Sequence, residues 1–144
     1  MRTVHHILQS KETIVWSVSP DATVFEALSI MAEKNIGALT VLDGAALAGI
    51  FSERDYARKV ILKGKSSKEM QVREIMTSPV VSVAPATSIE ECMKIMTEKH
   101  FRHLPVVAEG KLAGIISIGD VVKEIIADQR STIDHLSGYI TGKI

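Results

Sequence analysis

The sequence predicts an α/β (α+β) fold built from two β-α-β-β-α repeats packed about a pseudo-two-fold axis. Three observations lead there. Shifting the 144-residue chain by 65 positions aligns residues 15–61 with 80–126 without a gap, and 18 of the 47 aligned pairs are identical. Each copy carries two helix-start signatures behind short β-rich runs. Each copy also places a glycine-bearing turn between two apolar runs, the mark of a hairpin.

The elements follow in order. Each repeat opens on a run suited to a strand, TIVWSV at 13–18 and PVVSV at 79–83, with Pro20 and Pro85 two residues on. Thr23-x-x-Glu26 and Ser88-x-x-Glu91 then read as capping boxes. Behind them Val24, Ala27, Leu28 and Met31 fall at i, i+3, i+4 and i+7, as do Ile89, Cys92, Met93 and Met96. That spacing gives each helix one apolar face. The helices are expected to end near Asn35 and His100. Next, ALTVL (38–42) and LAGIF (47–51) flank Asp43-Gly44, and LPVV (104–107) and LAGII (112–116) flank Glu109-Gly110. A second helix closes each repeat, near 53–63 and 118–128.

The expected domains are repeat 1 at 10–63, a linker at 64–77, repeat 2 at 78–128 and a tail at 129–144. The linker is polar apart from Met70, Val72, Ile75 and Met76, which are expected to form a short docking turn. Residues 3–9 are its expected counterpart, with Thr3, Val4 and Ile7 marking a weak helical face. The tail shows little periodicity and reads as frayed or as reaching a partner. A single repeat is too small to bury a sizeable core, so the two are expected to pack face to face.

Composition narrows the function. Lys+Arg and Asp+Glu balance at 17 each, which argues against a general nucleic-acid binder. Cys92 is the only cysteine, so no intrachain bridge forms and a reducing compartment is expected. No apolar run approaches the roughly 18 residues of a membrane span. The opening MRTVHHILQSKE lacks the apolar stretch of a secretory signal. The expectation is a soluble, cytoplasmic protein.

The most specific motif closes each hairpin: GIFSERD at 49–55 and GIISIGD at 114–120. Ser52 and Asp55, and likewise Ser117 and Asp120, fit a helix cap, since serine is a good N-cap and an acid suits the first turn. The same geometry suits a ligand. A helix N-terminus seats phosphate, and a carboxylate has two oxygens to accept the hydroxyls of a ribose. The two readings are compatible.

With the duplicated unit, the proline after the first strand and the terminal SxxD, the chain resembles a tandem pair of CBS domains, a Bateman module, over about residues 10–128. It resembles the stand-alone bacterial CBS-pair proteins. The resemblance implies a regulatory module that binds an adenosine ligand (AMP, ADP, ATP, NAD or S-adenosylmethionine) in the cleft between repeats, and a homodimer. It implies no membrane, no nucleic acid, and a downstream protein partner that it does not name. One implied site joins Ser117, Gly119 and Asp120 to Thr13, Ile14, Val15 and Trp16 and to Ile36, Gly37 and Ala38. The other joins Ser52, Arg54 and Asp55 to Ser78, Pro79, Val80 and Val81 and to Phe101, Arg102 and His103. Main chain of the opening strand would read the adenine edge. Arg54, where repeat 2 has Gly119, makes the second site the more basic; alternatively it is a solvated surface arginine. The competing reading of the whole chain is a dimeric scaffold without a physiological ligand.

Other constellations rank lower. His100-x-x-His103 lacks a third ligand at metal spacing, and His5, His6 and His135 would join only through folding. Cys92 and the methionines at 31, 93 and 96 fit core positions. Trp16 reads as core or as a platform beside an adenine. No Walker A, GxSxG or paired nucleophile and base is present, so no enzyme is expected.

Overall fold

In chain order the elements of the computed structural model, which describes residues 2–11 and 14–141, are α1 (Val4–Ser10), β1 (Ser17–Val18), α2 (Val24–Lys34), β2 (Ala38–Asp43), β3 (Ala46–Ser52), α3 (Glu53–Lys59), α4 (Ile89–Lys99), β4 (His103–Ala108), β5 (Lys111–Ser117) and α5 (Ile118–Thr141). Short 3-10 turns lie at Ile61–Lys63 and Val72–Glu74. The mixed α/β class and the repeat order match the expectation.

The chain divides into two compact units, and they are not the sequence repeats. One unit comprises residues 1–13, 83–106 and 114–144; the other comprises 14–82 and 107–113. Each repeat is therefore completed by the segment that precedes the other. In the second unit, Val72 N–H donates to Ala22 C=O (2.8 Å), Arg73 N–H to Pro20 C=O (3.0 Å), and Val24 N–H to Met70 C=O (2.9 Å). In the first, Val4 N–H donates to Thr87 C=O (2.9 Å), His5 N–H to Pro85 C=O (2.9 Å), and Ile89 N–H to Arg2 C=O (3.2 Å). Residues 2–9 are thus the structural twin of 70–77, displaced by 68 positions rather than 65. The expected pairing of 3–9 with the linker holds. Three extra residues after α1 hide it from a gapless alignment.

Local chemistry fixes the ends of the paired helices. Thr23 and Ser88 cap α2 and α4 by accepting the N–H of Glu26 and Glu91, each at 3.1 Å. Asn35 (φ 54°) and His100 (φ 58°) end them in the left-handed conformation. The hairpins differ in turn chemistry. Glu109 and Gly110 both have positive φ, as a type I′ turn requires. In β2–β3, Asp43 pairs with Ala46, so the turn is Gly44-Ala45, and Ala48 is the extra residue between the Val41–Gly49 and Leu42–Leu47 pairs.

Two sequence expectations need correction. The opening strands are far shorter than 13–18 and 79–83. Only Ser17 and Val18 pair with β2, in parallel, and only Val83 bridges Val106. Ile14 and Trp16 are exposed and lie outside the ladder, and Pro79 has no N–H to give one. At the other end, of the two expectations for the tail, frayed or reaching a partner, the frayed one is set aside: α5 continues through Thr141. No proline interrupts it, and Gly138 is tolerated at a cost of about 1 kcal/mol. Residues 142–144 lie outside the described chain.

The second unit's core is Val18, Val24, Ala27, Met31, Leu39, Val41, Phe51, Val60, Val72 and Ile75, with Met70 and Met76 packed against it. The expected docking role of the linker methionines, Val72 and Ile75 is met. The first unit buries Val4, Ile7, Val83, Ile89, Cys92, Met96, Leu104, Val106, Ile116 and Val121. Each repeat reserves a glycine for the docked segment. A Cβ at Gly49 would lie 2.6 Å from Met76 Sδ and 3.0 Å from Thr77 O; one at Gly114 would lie 2.8 Å from Leu8 Cδ2. Gly49→Ala should therefore destabilise the protein by about 1–3 kcal/mol in urea melts. Met76→Ala in the same chain should recover part of that loss, a coupling a double-mutant cycle would measure.

Candidate functional site

Strand β3 runs directly into α3, and β5 into α5, so each serine sits where an extended chain turns helical. Ser52 has φ −127° and ψ 165°. Its hydroxyl accepts the Asp55 N–H (3.2 Å), while the Ser52 N–H donates to Asp55 Oδ2 (3.0 Å). Ser117 and Asp120 repeat this: the Asp120 N–H donates to Ser117 Oγ (3.1 Å), and the Ser117 N–H to Asp120 Oδ2 (2.8 Å). The capping role is thus realised at both copies. Each helix start is also tied back to its own repeat, because Glu53 N–H donates to Gly37 C=O (3.1 Å) and Ile118 N–H to Arg102 C=O (2.8 Å).

The aspartates have further partners that sequence reasoning missed. Asp55 is only 8% exposed. Its Oδ2 also accepts the Ser52 hydroxyl (3.1 Å), and its Oδ1 accepts the Thr77 hydroxyl (3.2 Å) and faces Lys59 Nζ (3.2 Å). Lys59, one turn on, folds back and donates to Ile75 C=O (3.0 Å). The signal was present, since an acid four residues before a lysine on a helix pairs with it. Asp120 Oδ2 accepts Lys11 Nζ (2.8 Å), which also donates to Ile115 C=O (2.9 Å). Nothing local in the sequence announces Lys11.

Charge follows from these contacts. Burial alone would raise the Asp120 carboxyl, but Lys11 and the Ser117 N–H and hydroxyl outweigh it and hold it below the usual range. Burial lowers His103, Lys11 and Arg102 add to that, and Asp120 opposes it. The cations that bear on His103 and Asp120 are Lys11 and Arg102. Burial pushes the Cys92 thiol up to about 11, with Glu91 adding to the effect, as befits a core thiol.

The remaining expected residues divide by unit. Ile14, Val15, Trp16, Ile36, Gly37, Ala38, Ser52, Arg54, Asp55, Ser78, Pro79, Val80 and Val81 lie in the second. Phe101, Arg102, His103, Ser117, Gly119 and Asp120 lie in the first, and Thr13 falls outside the described residues. Ala38 pairs with Ser52 in the β2–β3 register. The hydrogen bonds of the helix starts thus join Gly37 to Glu53 and Arg102 to Ile118, within units. Trp16 is part-exposed with Lys34 Nζ 4.3 Å from its ring centroid, a cation–π contact rather than burial in the core. Among the described residues no group of three histidine, cysteine or acidic side chains gathers to hold a metal, and no helix is long and apolar enough to cross a membrane.

A family model for the CBS domain matches residues 10–62 and again 72–127. The chain belongs to the CBS-domain family. A solved CBS-domain protein of Burkholderia ambifaria, described as a signal-transduction protein, shares 53% identity at TM-score 0.85, over 89% of this chain and 96% of that one. A mitochondrial CBS domain-containing protein of Arabidopsis thaliana is 37% identical over 97% of this chain and 72% of its own length. A CBS domain pair solved with 5′-methylthioadenosine and S-adenosyl-L-methionine is 21% identical at TM-score 0.76, covering 89% of this chain and 98% of that one, which speaks to fold alone. The CBS repeats here thus carry the family's duplicated hairpin-to-helix step with two unequal sets of partners.

The Asp120 shift has a sign. A carboxyl held below its unfolded value of 3.8 adds stability above that value and loses it as pH falls through the lower folded value. The stability difference between wild type and Asp120→Asn in thermal melts should therefore be full above pH 3.8 and should narrow as pH falls below it.

Proposed function

We propose that this CBS pair is a regulatory module that binds an adenosine ligand of the AMP, ADP, ATP or NAD class at its serine–aspartate helix starts. One observation carries the reading: both copies keep a carboxylate at the third helical position, beside a serine hydroxyl at the start of a helix. A ribose diol matches the two carboxylate oxygens, and a phosphate matches the helix N-terminus. Residues 14–16 lie outside the ladder, which leaves main chain of Ile14 and Val15 to read an adenine edge. That a family member of the same fold is described with two adenosine compounds adds support. Ligand binding would act by favouring one conformation over another.

The protein would work as a homodimer. Ile118, Val122, Ile126 and Ile133 are exposed large apolar residues of α5. At 100° per residue they fall within one narrow sector, a stripe suited to a second copy.

Thermal shift with AMP, ATP, NAD and S-adenosylmethionine tests the ligand. At 100 times its Kd the right one adds about 2.7 kcal/mol. Asp55→Ala and Asp120→Ala together should abolish the shift. A shift untouched by both substitutions would remove the ribose assignment, and no shift with any compound would favour the scaffold. For the dimer, Val122→Glu with Ile126→Glu should give a monomer in light scattering; an unchanged mass would place the interface elsewhere.

A further inference from the structure

The two helix starts share their serine and aspartate but obtain their cation differently. In repeat 1 the lysine belongs to the helix itself: Lys59 lies 3.2 Å from Asp55. The aligned position in repeat 2 is Glu124, which is buried and held by Arg2 at 3.1 Å. Asp120 and Glu124 therefore stand four residues apart on one helix, a like-charge pair that is unfavourable without cations from elsewhere. Residues 2–11 supply both. Arg2 takes Glu124 and approaches Asp128 (3.8 Å), and Lys11 takes Asp120. Lys11 is fixed twice, by Asp120 Oδ2 at 2.8 Å and by the Ile115 carbonyl at 2.9 Å. An ammonium has three N–H donors, so one remains.

This geometry bears on ligand charge. Without Lys11 the seat at Asp120 would present an unbalanced carboxylate to any phosphate carried on the same ribose. With Lys11 the pair is neutral, and the third N–H is available to a phosphate oxygen. His103, kept from charging by burial and by Lys11 and Arg102, does not replace that cation. We propose that Lys11 is the specificity-determining residue of the Asp120 seat, making it prefer a phosphorylated adenosine over adenosine itself. The proposal rests on the adenosine reading given above.

The experiment uses the full chain and follows the amides of Ser117, Gly119 and Asp120 by NMR while AMP or adenosine is added. These amides report this seat alone. In wild type AMP should bind more tightly, and added salt should weaken AMP but not adenosine. Lys11→Met should cut the AMP-to-adenosine preference by about tenfold or more, on the scale of one charge-assisted hydrogen bond. Lys11→Arg should keep it. The carboxyl titration of Asp120, followed without ligand, should move up in Lys11→Met. Three results would overturn the proposal: an unchanged preference in Lys11→Met, an AMP affinity indifferent to salt, or an Asp120 titration that does not move. If wild type bound both compounds and Lys11→Met kept the preference, only the role of Lys11 would fall. If wild type bound neither while the Asp120 titration did move, the adenosine reading would fall and the specificity role with it, leaving Lys11 as a structural clamp.

Discussion

A buried carboxylate must be satisfied, and Asp55 shows what that demands of the surrounding chain. Its oxygens take the N–H and hydroxyl of Ser52, the Thr77 hydroxyl and the Lys59 ammonium. Those donors come from the end of β3, from α3 and from the linker. One side chain thus fixes the angle at which the hairpin enters the helix and the place where the linker docks. An unpaired charge at that position would cost several kcal/mol. Asp120 is half-buried, and it recruits Lys11 from residues more than a hundred positions away. The N-terminal segment is therefore as much a part of the second helix start as the linker is of the first.

The two aspartates are held unequally. Both oxygens of Asp55 have protein partners, from Ser52, from Thr77 in the linker and from Lys59 in α3. At Asp120 the Ser117 N–H and Lys11 both bear on Oδ2. Under the proposed function a ribose diol at Asp55 would have to exchange with those donors. Two similar motifs are thereby tied to different parts of the chain.

Much of this was legible in the amino acids. The cap residues Thr23 and Ser88 placed the starts of α2 and α4, and Asn35 and His100 closed them, because cap chemistry is local and needs no tertiary knowledge. The hairpins were equally plain, although the bulge at Ala48 moved one turn to Gly44-Ala45. What was hidden depended on long-range pairing. The opening strands shrank because a strand exists only where a neighbour pairs with it, and Ile14 and Trp16 sit outside the ladder. The twin of the linker was visible in Thr3, Val4 and Ile7, but its partner was not, since the three extra residues after α1 break the spacing. At the candidate site the serines and aspartates were readable. Lys59 was half-readable, four residues from Asp55. Lys11 was unreadable, because only folding brings it to Asp120.

The exchange of preceding segments changes what counts as a half of this molecule. A boundary drawn after repeat 1 and before the linker leaves each fragment without the piece that covers its own glycine, Gly49 or Gly114, and without one donor to its aspartate, Thr77 or Lys11. Neither fragment is then a minimal folding module. A cut placed after residue 13 would likewise strip residues 2–11 from the body they complete while leaving the other body whole. The order of synthesis carries the same asymmetry. The body assembled on repeat 1 receives its linker within a few tens of residues, whereas α1 must wait for nearly the whole chain before its seat exists.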